Sequence, residues 1–265
     1  MKITDFNNRL KEKILVMDGA MGTEIQSKKL SEADFRGDLF QEYNKDLKGN
    51  NDLLNLTQPE IIKEIHKSFL NKGCDFIQTN TFNSSSISQK DYGLHEKSYD
   101  LNLTGAKIAK EAVSETNSNA WVIGSIGPTN TTASISPDVT DPAKRNILFD
   151  ELVISYSECI DGLIEGGADF LMFETIFDTL NAKAGIYAYL DKHEEIRKEI
   201  PLMISGTITD NSGRTLSGQT AEAFWTSVKH ANPCSIGFNC ALGAEQLRPH
   251  LISLNKISDV PISLH

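Results

Sequence analysis

Ser235-Ile236-Gly237-Phe238-Asn239-Cys240-Ala241-Leu242-Gly243 concentrates more usable chemistry than any other stretch of this chain. A short apolar run ends on an amide and a thiol, and small residues then lead into a helical segment. The point where a strand hands over to a helix is where an α/β barrel keeps a reactive or metal-bound thiolate. The other short apolar runs end in residues of the same kind. Asp18-Gly19, Thr79-Asn80, Ser125, Glu174 and Ser205-Gly206 close five of them, and His265 closes the last. Every one of these positions is polar, small or nucleophilic.

Asp18-Gly19-Ala20-Met21-Gly22-Thr23 offers a carboxylate followed by a turn of backbone N–H groups. Such groups suit a substrate carboxylate, although a plain turn would have the same composition. Glu174 follows four apolar residues and either holds a substrate ammonium or forms a structural ion pair. Of the four cysteines, Cys74 follows the helix-stopping Gly73 and Cys159 lies inside a helical stretch, so both read as packing residues. Cys234 precedes its strand and belongs to the wrong end of a barrel. A catalytic zinc needs about three protein ligands, and Cys240 with His265 is not such a set. The residues alone define a polar pocket for a small zwitterion with one candidate thiolate, and they leave the reaction open.

The elements that must position these residues alternate. A leading helix over 5–13 precedes a strand at 14–17, and residues 23–49 form a long excursion. Pro59 to Asn71 is an amphipathic helix, with Thr57 as its expected cap and Pro59 in its first turn. Strands are expected at 75–79, 121–125, 170–174, 202–205, 235–239 and 260–264. Helices follow at 101–113, 147–164, 179–190, 221–231 and 245–257. Strand and helix in strict alternation mean parallel strands with crossover helices. Seven strands in one run predict an α/β fold of the (β/α)8 TIM-barrel class, with about seven of its eight strands in residues 1–265. The first strand-to-helix turn lacks a Gly-x-Gly-x-x-Gly fingerprint, which argues against a dinucleotide fold.

Composition narrows the partners. The formal net charge is −10 over 265 residues, with 23% charged and 39% hydrophobic residues. Lys and Arg are interleaved with acids, so neither nucleic acid nor an anionic membrane surface is expected as a partner. No apolar run reaches the ~20 residues of a membrane span. The N-terminus lacks the apolar core of a signal peptide, so reduced thiols in the cytoplasm are expected.

Longer motifs carry a family resemblance. Asp18-Gly19-Ala20-Met21-Gly22-Thr23, Glu32-Ala33-Asp34-Phe35-Arg36-Gly37 and Lys48-Gly49-Asn50-Asn51-Asp52-Leu53-Leu54 resemble the N-terminal homocysteine-binding domain of cobalamin-dependent methionine synthases. So do Gln78-Thr79-Asn80-Thr81-Phe82-Asn83, Gly127-Pro128-Thr129-Asn130 and Ala133-Ser134-Ile135-Ser136-Pro137-Asp138-Val139. The match continues through Phe173-Glu174-Thr175-Ile176-Phe177-Asp178-Thr179-Leu180-Asn181-Ala182-Lys183 and Ser205-Gly206-Thr207-Ile208-Thr209-Asp210. Gly213-Arg214-Thr215-Leu216-Ser217-Gly218-Gln219 and the segment around Cys240 complete it. The Asp-Gly turn and the Asn-Cys strand end are shared with the wider homocysteine methyltransferases. Phe35-Arg36-Gly37, Ser134 to Asp138 and Gly213 to Gln219 point to the cobalamin-dependent branch.

The resemblance implies a zinc ion held by three cysteines, with the homocysteine sulfur in the open position. Zinc would keep that sulfur as a thiolate that accepts a methyl group from methylcobalamin, giving methionine. By the same resemblance Cys240 matches the first zinc ligand. Asp18, Gly19, Ala20, Thr79 and Glu174 match contacts to the amino-acid part of homocysteine. No catalytic residue is assigned beyond the metal site. The other two ligands of the family form a cysteine pair on the eighth strand, and this sequence has no such pair. Residues 1–265 are therefore expected to be a homocysteine-binding domain that lacks its eighth strand and is inactive alone. The cobalamin-binding and folate-binding domains of the full enzyme are its expected partners. The alternatives are a homocysteine methyltransferase using a betaine or S-methylmethionine type donor, and a non-catalytic amino-acid-binding remnant.

Overall fold

A computed structural model describes residues 2–196, 200–209 and 212–265. Asp210, the last residue of one motif above, lies outside them. The chain forms two compact units. One comprises residues up to Ser125 with Glu158–Phe170, and the other Ile126–Ser157 with Leu171–His265.

The first unit holds α1 (Lys2–Glu12), α2 (Met21–Ser27), α3 (Glu32–Arg36), α4 (Leu54–Thr57), α5 (Pro59–Leu70), α6 (Ser86–Gln89) and α7 (Ser98–Glu115). Its strands are β1 (Phe76–Gln78) and β2 (Trp121–Ile126), which pair in parallel and start the strand tips at Thr79 and Ser125. α1 buries Phe6 in an aromatic nest of Phe76, Trp121 and Phe170, with ring centroids 6.3, 6.4 and 5.7 Å away. Arg9 stacks over Trp121 at 3.9 Å, and Lys2 pairs with Asp169 at 2.8 Å.

The expected strand at 14–17 does not form as a ladder; only Met17 bridges to Phe76. The Asp75 side chain accepts the Val16 N–H at 3.0 Å, while the Val16 carbonyl accepts from the N–H groups of Asp75 (2.7 Å) and Phe76 (3.2 Å). A carboxylate thus takes a donor that a ladder would use, and Ile14 stays 87% exposed. The expected Thr57 cap is also corrected. Gln58 occupies the N-cap of α5 without a side-chain bond, and the Thr57 hydroxyl instead donates back to the Leu53 carbonyl at 3.3 Å. The excursion at 23–49 is ordered by its own side chains. Ser31 and Asp34 cap α3 reciprocally. Arg36 pairs with Glu32 at 2.7 Å and donates to the carbonyls of Tyr43 (2.6 Å) and Lys45 (2.9 Å).

The second unit holds β4 (Leu202–Gly206), β5 (Ser235–Phe238) and β6 (Ile262–Leu264), with α9 (Thr179–Ile196), α10 (Ala221–Val228) and α11 (Ala244–Ile257). α8 (Phe149–Glu165) and β3 (Phe170–Ile176) run across the boundary in sequence. β3, β4, β5 and β6 pair in parallel in that order. Six strands are thus found among the described residues. Residues on facing register positions share a face of the sheet. Met203, Ser205, Ser235, Gly237, Asn239 and Ser263 therefore lie on one face.

Gly237 is fixed by crowding on that face. A Cβ there would sit 2.0 Å from the Ser263 carbonyl oxygen and 2.4 Å from its hydroxyl. Gly237→Ala is expected to cost about 3 kcal/mol by forcing β6 off β5. Chemical unfolding of wild type and variant checks this, and an unchanged midpoint would refute the crowding.

Candidate active site

In the first unit Asp18 sits just past the Met17 bridge. Its two carboxylate oxygens accept the Gln78 N–H at 3.1 and 3.0 Å, and its own N–H donates to the Phe76 carbonyl at 3.0 Å. The side chain is thereby aligned along the end of β1. Gly19 and Ala20 follow, both exposed, and Ala20 is the N-cap of α2. No side chain caps that helix, and its leading end carries the partial positive charge of a helix start. A side chain at Gly19 would press on the Phe69 ring at 3.0 Å.

Thr79 is buried at the tip of β1. Its oxygen accepts the Ser125 N–H at 3.0 Å and lies 2.6 Å from the Thr81 hydroxyl, which bonds the Ser125 carbonyl at 2.7 Å. Thr79 thus braces the tips of β1 and β2 as well as standing at a strand end. Asn80 is a framework residue: its amide donates to the Asn51 carbonyl (2.8 Å) and to Asn55 (3.2 Å). This explains the Asn50-Asn51-Asp52-Leu53-Leu54 motif as support for the strand tips. Asp52 belongs to it, buried, accepting the Asn83 N–H at 2.8 Å and the Ser84 hydroxyl at 2.9 Å. Burial outweighs those bonds and pushes its carboxyl up to about 6.

In the second unit Glu174 is buried within β3 and lies 3.7 Å from the His265 Nε2. β3 pairs with β4 at Phe173↔Ile204 and again at Ile176↔Gly206, so one extra residue is accommodated at Glu174-Thr175. This is a β-bulge, a device that re-aims a side chain at a sheet's end. Thr175 adopts the left-handed conformation with φ of 54°, which is costly for a β-branched residue. Cys240 and Ala241 are left-handed too, at 58° and 56°. Cys240 is exposed at the tip of β5, beside Asn239, whose amide donates to its sulfur at 3.1 Å. The other three thiols are poor nucleophiles. Burial pushes Cys74 up to about 11, with the charges of Asp18 and Asp75 adding to it, and Cys159 and Cys234 up to about 12.

The structure therefore gathers Glu174, Ser205, Asn239, Cys240 and His265 in one unit, and Asp18, Gly19, Ala20 and Thr79 in the other. Sequence reasoning did not single out Asp178 and Asn181 for a role. Asp178 accepts the N–H and hydroxyl of Ser134 (3.1 and 2.6 Å), and Asn181 accepts the Ala133 N–H and donates to Thr129 and the Thr131 carbonyl. Asp178 lies just past β3 and Asn181 in the first turn of α9, and both pin the loop that follows Pro128. Their only sequence signal was two polar residues at the start of a helix rich in alanine.

Among the described residues, no group of three or more His, Cys, Asp or Glu side chains is placed to hold a metal ion. Cys240 supplies one soft donor, and its neighbours Thr175, Asn239 and Ser205 are not zinc ligands of the usual kind. The donors present do not complete a zinc site.

Parallel strands joined by helices, with polar and thiol residues at the strand tips, define an α/β enzyme of the barrel type. The chain matches the homocysteine S-methyltransferase family over residues 15–265 and belongs to it. It is similar to the homocysteine methyltransferase MmuM from Escherichia coli in its metallated form, with a TM-score of 0.75 at 18% identity, over 97% of this chain and 85% of that one. The oxidized form of MmuM matches with a TM-score of 0.73 at 19% identity, over 97% and 83%. The apo form gives 0.67 at 18% over the same shares. The fold is thus TIM-barrel-like, and the protein is a methyltransferase. No described helix is long and apolar enough to cross a membrane.

Proposed function

We propose that this chain binds homocysteine and readies its sulfur to accept a methyl group from methylcobalamin, as a homocysteine-binding domain of the methionine-synthase kind. The observation that carries this reading is the pairing, in a homocysteine S-methyltransferase, of a bulge-borne buried Glu174 with the exposed thiol of Cys240. In this reading Glu174 holds the substrate ammonium, and Asp18 is a contact to the amino-acid part. The N–H groups at Gly19 and Ala20 and the Thr79 hydroxyl contact the rest of the amino-acid end. Cys240 stands at the sulfur end and is the donor this chain offers to zinc; further donors would have to join it. The Phe35-Arg36-Gly37, Ser134 to Asp138 and Gly213 to Gln219 stretches support methylcobalamin over a betaine or S-methylmethionine type donor. Cobalamin-binding and folate-binding domains then complete the enzyme. Free thiols at all four cysteines fit a cytoplasmic location.

The test is methyl transfer to homocysteine, measured as methionine formed, by a form of the chain extended with the cysteine pair that would complete the zinc set, with methylcobalamin, S-methylmethionine or betaine as donor. Methylcobalamin is expected to be the donor used. Cys240→Ser should lower the rate about 100-fold or more while leaving the unfolding midpoint in place. Transfer from S-methylmethionine alone, or full activity in Cys240→Ser, would overturn the reading.

A further inference from the structure

Asn239 is completely buried, and its side chain bonds at four points. Its oxygen accepts the Thr175 N–H at 2.9 Å and the Ser205 hydroxyl at 2.7 Å. Its nitrogen donates to the Thr175 hydroxyl oxygen at 2.6 Å and to the Cys240 sulfur at 3.1 Å. The orientation of the amide is fixed, because a backbone N–H can only donate and so must meet the oxygen. Two of these partners, Thr175 and Cys240, hold left-handed backbone conformations that their side chains disfavour. Strained conformations persist only where surrounding structure over-determines them.

We propose that Asn239 is a positioning residue that sets both ends of the site with one amide. It grips the bulge at Thr175 through both its oxygen and its nitrogen, which aims the preceding Glu174, and the same nitrogen holds the Cys240 sulfur. Ser205, on the intervening strand β4, locks the amide from below. Glu174 and Cys240 lie 66 positions apart in sequence, yet both are referenced to this one side chain. The separation between the carboxylate and the sulfur is then set by hydrogen bonds across three strands, not by loop packing. The functional half of this inference rests on the homocysteine reading above; the geometric half does not.

The test uses the full chain. In a crystal structure of Asn239→Ala, Thr175 should relax to a negative φ and the Cys240 sulfur should move by about 1 Å, the looseness that disables a site. By calorimetry, Asn239→Ala should weaken L-homocysteine binding at least about tenfold. L-homoserine, which has an oxygen for the sulfur, should lose much less. Thr175→Val deletes one acceptor and should reproduce part of the loss, and Thr175→Ser should restore it; this pair decides the matter if Asn239→Ala does not fold. Retention of both left-handed residues and of the sulfur position in Asn239→Ala would overturn the proposal. Equal losses for homocysteine and homoserine would also overturn it, since they would show a structural role only. If the wild-type chain binds no homocysteine, the functional reading falls, and the crystallographic comparison still decides the positioning.

Discussion

Glu174→Gln should weaken homocysteine binding by about 30-fold or more, the equivalent of about 2 kcal/mol or more for removing one partner of a desolvated charge pair. The substitution keeps the shape of the side chain and its place in the bulge, so the fold should survive. What changes is the charge offered to a substrate ammonium. Glu174 is only 6% exposed, so water does little to screen that charge. The decisive comparison is with N-acetylhomocysteine, which lacks the ammonium. Wild type should discriminate strongly between the two ligands, and the variant should discriminate little. Equal affinities of wild type and Glu174→Gln for homocysteine would remove Glu174 from the binding site and leave it as a structural partner of His265.

The second large effect concerns stability against pH. Asp52 and His66 are both buried in the first unit, and burial moves them in opposite senses. Asp52 is raised from 3.8 to about 6, so its contribution is fully present below about 4 and is lost as pH rises to about 6. His66, whose two ring nitrogens have no hydrogen-bond partner, is lowered from 6.5 to about 4. The folded state keeps it neutral while the unfolded chain takes up a proton, so stability is lost as pH falls from 6.5 towards 4. Each shift of about 2 units is worth about 3 kcal/mol. The two slopes nearly cancel between pH 4 and 6.5, so these two groups together leave little net slope there.

Single substitutions uncover the slopes. Asp52→Asn keeps an acceptor for Asn83 and Ser84, and should make the protein lose about 2 kcal/mol on acidification from pH 6.5 to 4.5. His66→Phe removes the titrating ring, and should make the protein gain a similar amount over the same interval. Urea unfolding at several pH values reads both. Parallel curves for wild type and the two variants would show that neither group titrates as its burial requires.

The strand-end positions of each unit were the legible part. Asp18, Thr79, Glu174, Ser205, Asn239 and Cys240 all stand where short apolar runs end, because a parallel strand must finish in a polar turn before its helix begins. The bulge at Thr175 was not legible. Nothing in Phe173-Glu174-Thr175-Ile176 marks an extra residue, since the position that wants glycine carries threonine, and the partner that stabilises it lies 64 residues away. The same distance hid Asn239, which looked like an ordinary polar strand end. The expected strand at 14–17 failed for a related reason. Its apolar residues were visible, but the Asp75 side chain that takes the Val16 N–H belongs to another segment. The five bonds of Asp178 and Asn181 to the loop after Pro128 had only weak local signs. Local pattern reports which residues are apolar and where turns fall; it does not report which side chains meet across strands.

The aromatic nest around Phe6 bears on how the chain is made. Phe6, Phe76, Trp121 and Phe170 leave the ribosome in that order, and the last appears roughly 160 residues after the first. At typical rates of synthesis that is a wait of about 10 to 30 s. For that interval α1, which buries little besides Phe6, has no complete seat. Helix α1 is therefore among the last pieces of its unit to settle, although it is made before the rest of that unit. A nascent chain halted before Phe170 should leave that helix open to proteases and chaperones, and one halted well after it should not.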